Sequence, residues 1–283
     1  MFTLFPALRL HVWGGLGSQL FAIPIVLKIM ERFPNRKIIL VIHSSGVTRR
    51  NPEIVILFPE LQYEILDDFK SRTSHDSNID SGFFRKRITE ILKSFLFLTG
   101  LIAEENDSQN RKVRWWTLQV RGHYFHRRVD EKFINLLGQR LKDNCTLEIS
   151  NYENCAAIHY RLGDLLELTN KTPITNTRIA KVLNEDIDFN RIILFSDSPE
   201  KALSLLSDVL IENNIQPKNT STFDTIWISA NTQKFIGTSS KLSYWIIMLR
   251  LHFTHKTQNF LPSEDSKILN LLTNNKNSVS FYA

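Results

Sequence analysis

The chain has 283 residues, 42% of them hydrophobic and 23% charged, with a formal net charge of +6. These are the proportions of an ordinary soluble globular protein with a packed core, in one large domain or two small ones. The positive excess favours anionic partners, whether nucleotide phosphates, nucleic acid or an anionic membrane surface, without choosing among them.

Leu8 to Val12 reads as a short buried strand, and Trp13-Gly14-Gly15-Leu16-Gly17-Ser18-Gln19 after it as a tight glycine turn. Residues 20–33 repeat apolar positions at helical spacing, with Pro24 placed near the first turn, where proline is tolerated. Residues 37–43, rich in Ile and Val, read as a second buried parallel strand, which completes a βαβ unit. An amphipathic helix is predicted over 83–103, between weakly patterned loops at 68–82 and 104–112. A strand follows at 115–120 and a helix at 130–142. Polar residues at 143–144 and 150–154 mark a boundary between halves.

The second half repeats the α/β pattern. Strands are predicted at 156–160, 191–195 and 234–236, and helices at 177–184, 199–210, 224–230 and 243–252. The sequence therefore predicts two α/β domains, residues 1–150 and 151–283. Cys145 and Cys155, the two cysteines, read as reduced thiols of a cytosolic protein. The N-terminus lacks the basic-then-apolar order of a signal peptide. The longest apolar run, residues 95–103, is far below the ~20 residues that cross a bilayer. It reads as a core helix segment, with docking on a membrane surface as the second reading. Neither zinc-ligand spacing nor an RNP-type aromatic strand is present, so the basic charge does not point to nucleic acid.

Polar clusters follow three of the strands. His159-Tyr160-Arg161-Leu162-Gly163-Asp164 ends the strand at 156–160, at the edge where open α/β sheets bind ligands. The planar, permanently charged fork of Arg161 suits a phosphate, although a salt-bridged surface loop would look similar. Ser196-Asp197-Ser198 lies on the same sheet edge. Asp197 there can accept from a nucleobase edge or ribose hydroxyls, or can cap the following helix. Gly237-Thr238-Ser239-Ser240 stands between strand and helix, as a phosphate-binding nest or as a capping sequence. The glycine turn of the first half lacks both the Gly-x-Gly-x-x-Gly and the Gly-Lys-Ser/Thr patterns. It reads as a structural turn, or as a loop in which Ser18 and Gln19 meet an anion or sugar hydroxyl at a helix start.

Taken together, these segments carry a family resemblance. Gly14 to Phe21 resembles the opening motif of bacterial and animal α1,2-fucosyltransferases, and His159 to Asp164 resembles their His-x-Arg-Arg-Gly-Asp motif. Phe195-Ser196-Asp197 and the stretch from Ser239-Ser240 to Tyr244-Trp245 are similar to the later motifs, in order, and Gly122-His123-Tyr124-Phe125 is similar to a short aromatic motif. The resemblance runs over roughly residues 8–250. It departs at Ser18, where the family has Asn, and at Leu162, where it has a second Arg; the last motif carries one extra residue and Tyr244.

The resemblance implies a GT-B-like fold of two Rossmann-like halves facing a central cleft, with the acceptor on the N-terminal half and the donor on the C-terminal half. The implied reaction is inverting transfer of fucose from GDP-fucose to a glycan hydroxyl, with no divalent metal and no other cofactor. Arg161 would meet the donor pyrophosphate, His159 and Asp197 the guanine, and Ser196, Thr238, Ser239 and Ser240 the rest of the donor. Asp164 joins Arg161 as a catalytic candidate, and Gly14, Gly15, Gly17, Ser18 and Gln19 form the acceptor loop. The implied partners are a nucleotide sugar, a glycan and an anionic membrane face. A transferase for another nucleotide sugar, or a non-catalytic nucleotide-sugar or glycan binder, are the alternatives.

Overall fold

The computed structural model describes residues 6–45, 49–69, 92, 94–106, 109–110, 112–122, 124–125, 127–163, 173–184, 191–207, 215–271 and 278–283. The chain divides into two compact units, Met1–His126 and Arg127–Ala283. Each holds a six-stranded sheet with helices, so the α/β class with two Rossmann-like halves is what the chain adopts.

In the first unit the strands are β1 (Leu8–Val12), β2 (Ile38–His43), β3 (Tyr63–Leu66), β4 (Ile102–Asn106), β5 (Gln109–Asn110) and β6 (Gln119–Gly122), ordered β3-β2-β1-β6-β4-β5. All pairings are parallel except β4 with β5. Leu8, Leu10, Val12, Leu40, Val41 and Ile42 are buried, as expected of strands covered on both faces. Helix α1 (Leu16–Arg32) starts four residues before the apolar pattern does, inside the glycine turn itself. Pro24 is thus its ninth residue, well past the first turn, and leaves the Leu20 carbonyl without its usual donor. Burial of Leu20, Phe21, Ala22, Ile23 and Ile25 on all sides offsets that loss. A short helix α2 (Ile54–Leu57) precedes β3.

The helix expected over 83–103 ends sooner. Of it, residues 92 and 94–98 are described as helical; 83–91 lie outside the described residues. The Thr99 hydroxyl donates to the Phe95 and Leu96 carbonyls, Gly100 turns at φ +77°, and the chain enters β4, where a loop was predicted. Nor is this segment core: Phe95 is 59% and Leu98 79% exposed. Trp115 and Trp116 form a turn, their rings edge to face at 5.5 Å, and the strand expected at 115–120 begins at Gln119.

In the second unit, helix α3 (Glu131–Asn144) is capped by Asp130, whose carboxylate accepts from the Lys132 amide. Strands β7 (Ala156–His159), β8 (Ile192–Phe195), β9 (Ile215–Pro217), β10 (Lys234–Gly237), β11 (Gln258–Pro262) and β12 (Ser280–Tyr282) lie in the order β12-β11-β10-β7-β8-β9, all parallel. Between them run α4 (Asn176–Asn184), α5 (Pro199–Ser207), α6 (Thr222–Asn231) and α7 (Lys241–His252). Helix α3 packs in this unit: Phe133 meets the Trp245 ring edge to face at 5.8 Å, and a Cβ on Gly138 would stand 2.6 Å from the Phe253 ring. Strands β9, β11 and β12 were not foreseen, being short or polar.

Both sheets reverse their winding direction. In the second, the chain runs outward through β7, β8 and β9, then returns to place β10 on the other side of β7. In the first, it runs outward through β1, β2 and β3, and β6 returns beside β1. Crevices in open α/β sheets open at the carboxyl ends of strands flanking such a reversal.

Candidate functional site

At the β7/β10 reversal the carboxyl ends of β7, β8 and β10 align, with His159 in register with Phe195 on one side and Gly237 on the other. The three polar clusters therefore leave the sheet side by side, and the side chains knit them together. The Thr238 hydroxyl accepts from the Arg161 amide at 2.9 Å and donates to the His159 carbonyl at 3.0 Å. The Thr238 amide donates to the same carbonyl at 3.1 Å. The β7 and β10 loops are thus locked through a single buried threonine.

Asp197 performs the corresponding task toward β8. One carboxylate oxygen accepts from the Leu162 amide at 2.8 Å and from the Gly163 amide at 2.9 Å. Backbone N–H groups turned on one oxygen form an anion nest, occupied here by the chain's own side chain. The glycine of the motif has its reason in this contact, since a Cβ on Gly163 would stand 2.7 Å from the other Asp197 oxygen. Ser196 accepts from the Ser198 amide and so shapes the turn into α5.

His159 is 8% exposed, and its Nδ1 lies 2.8 Å from the Ser243 hydroxyl on α7. Burial drives its pKa down to about 4, with the Asp197 charge opposing and the Arg161 charge adding. It is a neutral imidazole at pH 7, able to give and to accept a hydrogen bond. Arg161 is half-buried at the end of the same strand. Ser240 caps α7 by accepting from the Leu242 amide at 3.2 Å, while Ser239 is half-buried between Thr238 and that cap. The Tyr282 hydroxyl donates to the Gly237 carbonyl at 2.8 Å and braces β10 from the last strand.

His159, Arg161, Ser196, Asp197, Thr238, Ser239 and Ser240 are therefore at one sheet edge. Asp164 lies outside the described residues. Leu162, the position of the resemblance's second arginine, is 1% exposed and packs in the core with Tyr160, Ile174 and Ile179. Ser243 and Tyr282 escaped the sequence analysis: one reads as an interior position of an apolar helix, the other as an aromatic near the C-terminus.

In the first unit the glycine turn is built differently from a ligand loop at one of its positions. Gly14 takes φ +96°, and Gly15 is the N-cap of α1. Gln19 is fully buried. Its amide nitrogen donates to the Gly14 carbonyl at 3.0 Å and the Asn51 carbonyl at 2.8 Å, and its oxygen accepts from the Ile54 amide at 3.2 Å. It straps the turn to the start of α2. His123 of the aromatic motif lies outside the described residues. Tyr124 sits in the left-handed region at φ +59°, buried, its hydroxyl donating to the His11 carbonyl at 2.7 Å.

No protein-family model matches the chain, and no curated protein matches it. Among solved structures it is similar to E. coli heptosyltransferase WaaC with ADP, at 11% identity over 97% of this chain and 92% of that one, with a TM-score of 0.47. It is also similar to POFUT1 in complex with GDP, at 10% identity over 87% of this chain and 95% of that one, TM-score 0.44. A glycosyl transferase family 9 protein from Veillonella parvula is similar at 9% identity, over 92% of this chain and 82% of that one, TM-score 0.44.

Proposed function

We propose that the chain is an inverting, metal-independent glycosyltransferase that passes fucose from GDP-fucose to a glycan hydroxyl, in an α1,2 linkage. The observation that carries this reading is the convergence of Arg161, Asp197 and the Thr238–Ser240 hydroxyls at the β7/β10 reversal. An always-charged arginine on the loop that the Thr238 hydroxyl holds, next to the start of α7, suits a diphosphate. His159 and the second oxygen of Asp197 supply neutral and anionic hydrogen-bonding groups for a purine edge.

In such a transfer the acceptor oxygen bonds to the sugar's anomeric carbon as the bond from that carbon to the phosphate oxygen breaks. The electron pair leaves with GDP, and Arg161 meets the charge that develops there. One charge-assisted hydrogen bond is worth ~1.5–3 kcal/mol, or roughly 10–100-fold in binding or rate. Thermal-shift measurement without magnesium tests the assignment. GDP should stabilise the protein by about 3 kcal/mol at 100 times its Kd, UDP and ADP should do so less, and Arg161→Ala, binding roughly 10–100-fold more weakly, should cut the effect at that concentration to about 0.4–1.4 kcal/mol without lowering the unliganded Tm. Equal stabilisation by GDP and UDP would remove the guanine assignment. A second reading, transfer of another sugar, is favoured by Leu162, whose burial in the core leaves no cation at that position.

On the acceptor side, the first unit would also meet an anionic membrane face. Leu92, Phe95, Leu98 and Trp115 are exposed in the first unit. Beside them a cavity of about 390 Å³ is lined by Phe97, Leu98, Ile102, Lys112 and Arg114. Apolar and aromatic side chains flanked by cations match the interface of an anionic bilayer. Among the described residues no helix is long and apolar enough to cross one.

A further inference from the structure

A cavity of about 540 Å³ lies in the second unit, at the end of its sheet away from the three polar clusters. Glu153 stands just before β7, Asn231 just before β10 and Lys256 just before β11, and all three border it. It therefore opens at the amino ends of β7 and β10, whose carboxyl ends lead into Arg161 and Thr238. Its volume is that of a small-molecule site.

Three helix ends build the walls. Helix α3 supplies Lys142 from its last turn, α6 supplies Trp227 and Asn231, and the residues after α7 supply Phe253 and Thr254. Leu147 and Ile149, from the link between α3 and β7, complete an apolar lining. Trp227 is buried, and its ring lies 5.6 Å from that of Phe253, centroid to centroid, with the planes at 59°. Hydrogen bonds fix each wall. The Asp224 carboxylate on α6 accepts from the Thr146 amide at 3.0 Å and ties the α3–β7 link in place. The Thr254 hydroxyl donates to the Ala230 carbonyl at 2.7 Å, and the Lys256 amide to the Arg250 carbonyl at 2.6 Å. The site is preformed, so a ligand spends little binding energy on ordering it.

The groups left unmet set what a ligand must bring. Helix carboxyl ends carry partial negative charge, and lysines beside them commonly answer it. Here the protein meets helix-end carbonyls with its own donors. Trp227 accepts from the Asn231 side-chain amide at 2.8 Å, Ala230 from Thr254, and Arg140 from the Asn144 side-chain amide at 2.8 Å. Lys142 and Lys256 border the cavity, and neither makes an ion pair among the described residues. One carboxylate, Glu153, shares the rim, so two cations stand against one anion. Cys145 also lines the cavity. Burial pushes its thiol pKa up to about 11, with the Leu147 backbone opposing and the Asp224 carboxylate adding. At neutral pH it is an uncharged, poorly nucleophilic wall, which suits noncovalent binding.

We propose that this cavity binds a small amphipathic anion, its apolar body on Trp227, Phe253, Leu147 and Ile149 and its carboxylate, sulfonate or phosphate head at Lys142 and Lys256. The aromatic faces offer a large apolar contact area. The two ammoniums set the polarity: an uncharged body of the same shape loses the attraction of the head, and a cation is repelled. The site uses none of the residues assigned to the sugar donor, so it does not depend on the transferase reading.

Anilinonaphthalene sulfonate and decanoate test the proposal as an aromatic and an aliphatic anion, with decanol as the uncharged control. The chain has five tryptophans, and Trp227→Phe identifies which indole 15N–1H signal belongs to Trp227. Either anion should move that signal saturably; an anion seated on the exposed patch of the first unit would move Trp115 or Trp116 instead. Replacing Lys142 and Lys256 together by Met keeps the side-chain stems and removes both charges. That variant should bind the anions about tenfold more weakly, the size of two solvent-screened charge contacts, with decanol binding, Tm and GDP stabilisation unchanged. Added salt should weaken the anions in the same sense. A Trp227 signal that neither anion moves at millimolar concentration removes the site. Equal affinities for decanoate and decanol, or an unaltered anion affinity in the double variant, overturn the anion assignment. Failure of the wild-type protein to bind GDP would remove the transferase reading and leave this site standing.

Discussion

His159 and His11 occupy equivalent places in the two units, each at the end of a strand that flanks a sheet reversal. Both are 8% exposed, and burial lowers both pKa values to about 4. The unfolded imidazoles take up protons near pH 6.5, before the folded ones do. The folded state is therefore favoured above pH 6.5, and that advantage drains away as pH falls from 6.5 toward 4. At its full extent the effect is on the order of 3 kcal/mol for each histidine. Urea unfolding at about pH 7 and about pH 4.5 should show the loss, and His159→Gln should reduce it, with His11 and His252, whose pKa burial also lowers, carrying the rest. An unchanged loss in that variant would mean that His159 is already charged in the folded protein. At this scale the sequence showed His159 and Arg161, because a polar cluster directly after an apolar strand is visible in one dimension. His11 and His43 are as close to strand ends, but each reads as a lone histidine. The β1–β2 pairing alone brings them within a hydrogen bond, and no local spacing encodes that.

Elements rather than residues decide whether the three loops of the second unit stay together. Asp197 has one oxygen bound by two amides, so the side chain cannot withdraw from Gly163 without breaking both bonds. Gly163→Ala forces that choice, because its Cβ would stand 2.7 Å from the second oxygen. The expected cost is ~1–3 kcal/mol, read as a lower urea midpoint. In the background of Asp197→Ala, the same substitution should cost less than half as much, since the obstructing carboxylate is gone. Equal costs in both backgrounds would assign the glycine to backbone geometry alone. The loop partners of Asp197 were not legible beforehand, since the capping reading and the ligand reading both look along the chain, and the observed bond runs across it. The strands of the first half failed for a related reason. β4 carries Glu104, Glu105 and Asn106, a polar signature that no periodicity rescues, and it is a strand because β6 supplies its hydrogen bonds. Helix α1 erred in the other direction: it starts within the glycine turn because Gln19 ties that turn to α2, a contact invisible to helical spacing.

For the molecule as a whole, the net charge of +6 gains a direction once the exposed side chains are placed. Leu98 is 79% exposed and Trp115 52%, and both have cations close by: Lys112 and Arg114 border the cavity that Leu98 lines, and the Arg36 guanidinium donates to the Trp115 carbonyl. Arg114 lies over the Trp116 ring, 5.1 Å from its centroid, so this cation is held at the apolar patch. A basic charge near an anionic bilayer contributes ~1 kcal/mol, and burying a Leu or Phe side chain ~1.5–3 kcal/mol. Two cations and three such side chains are enough for reversible attachment, and the charge term makes it salt-dependent. Co-sedimentation should therefore show binding to phosphatidylserine-containing vesicles and much weaker binding to pure phosphatidylcholine. Replacing Phe95 and Leu98 together by Glu removes apolar area and adds repulsion, and should cut binding at least tenfold. Both positions are solvent-facing, so the variant should unfold at the same urea concentration as the parent. Binding that is indifferent to lipid charge, or unaffected by the double replacement, would separate this patch from any membrane and leave it to a protein partner.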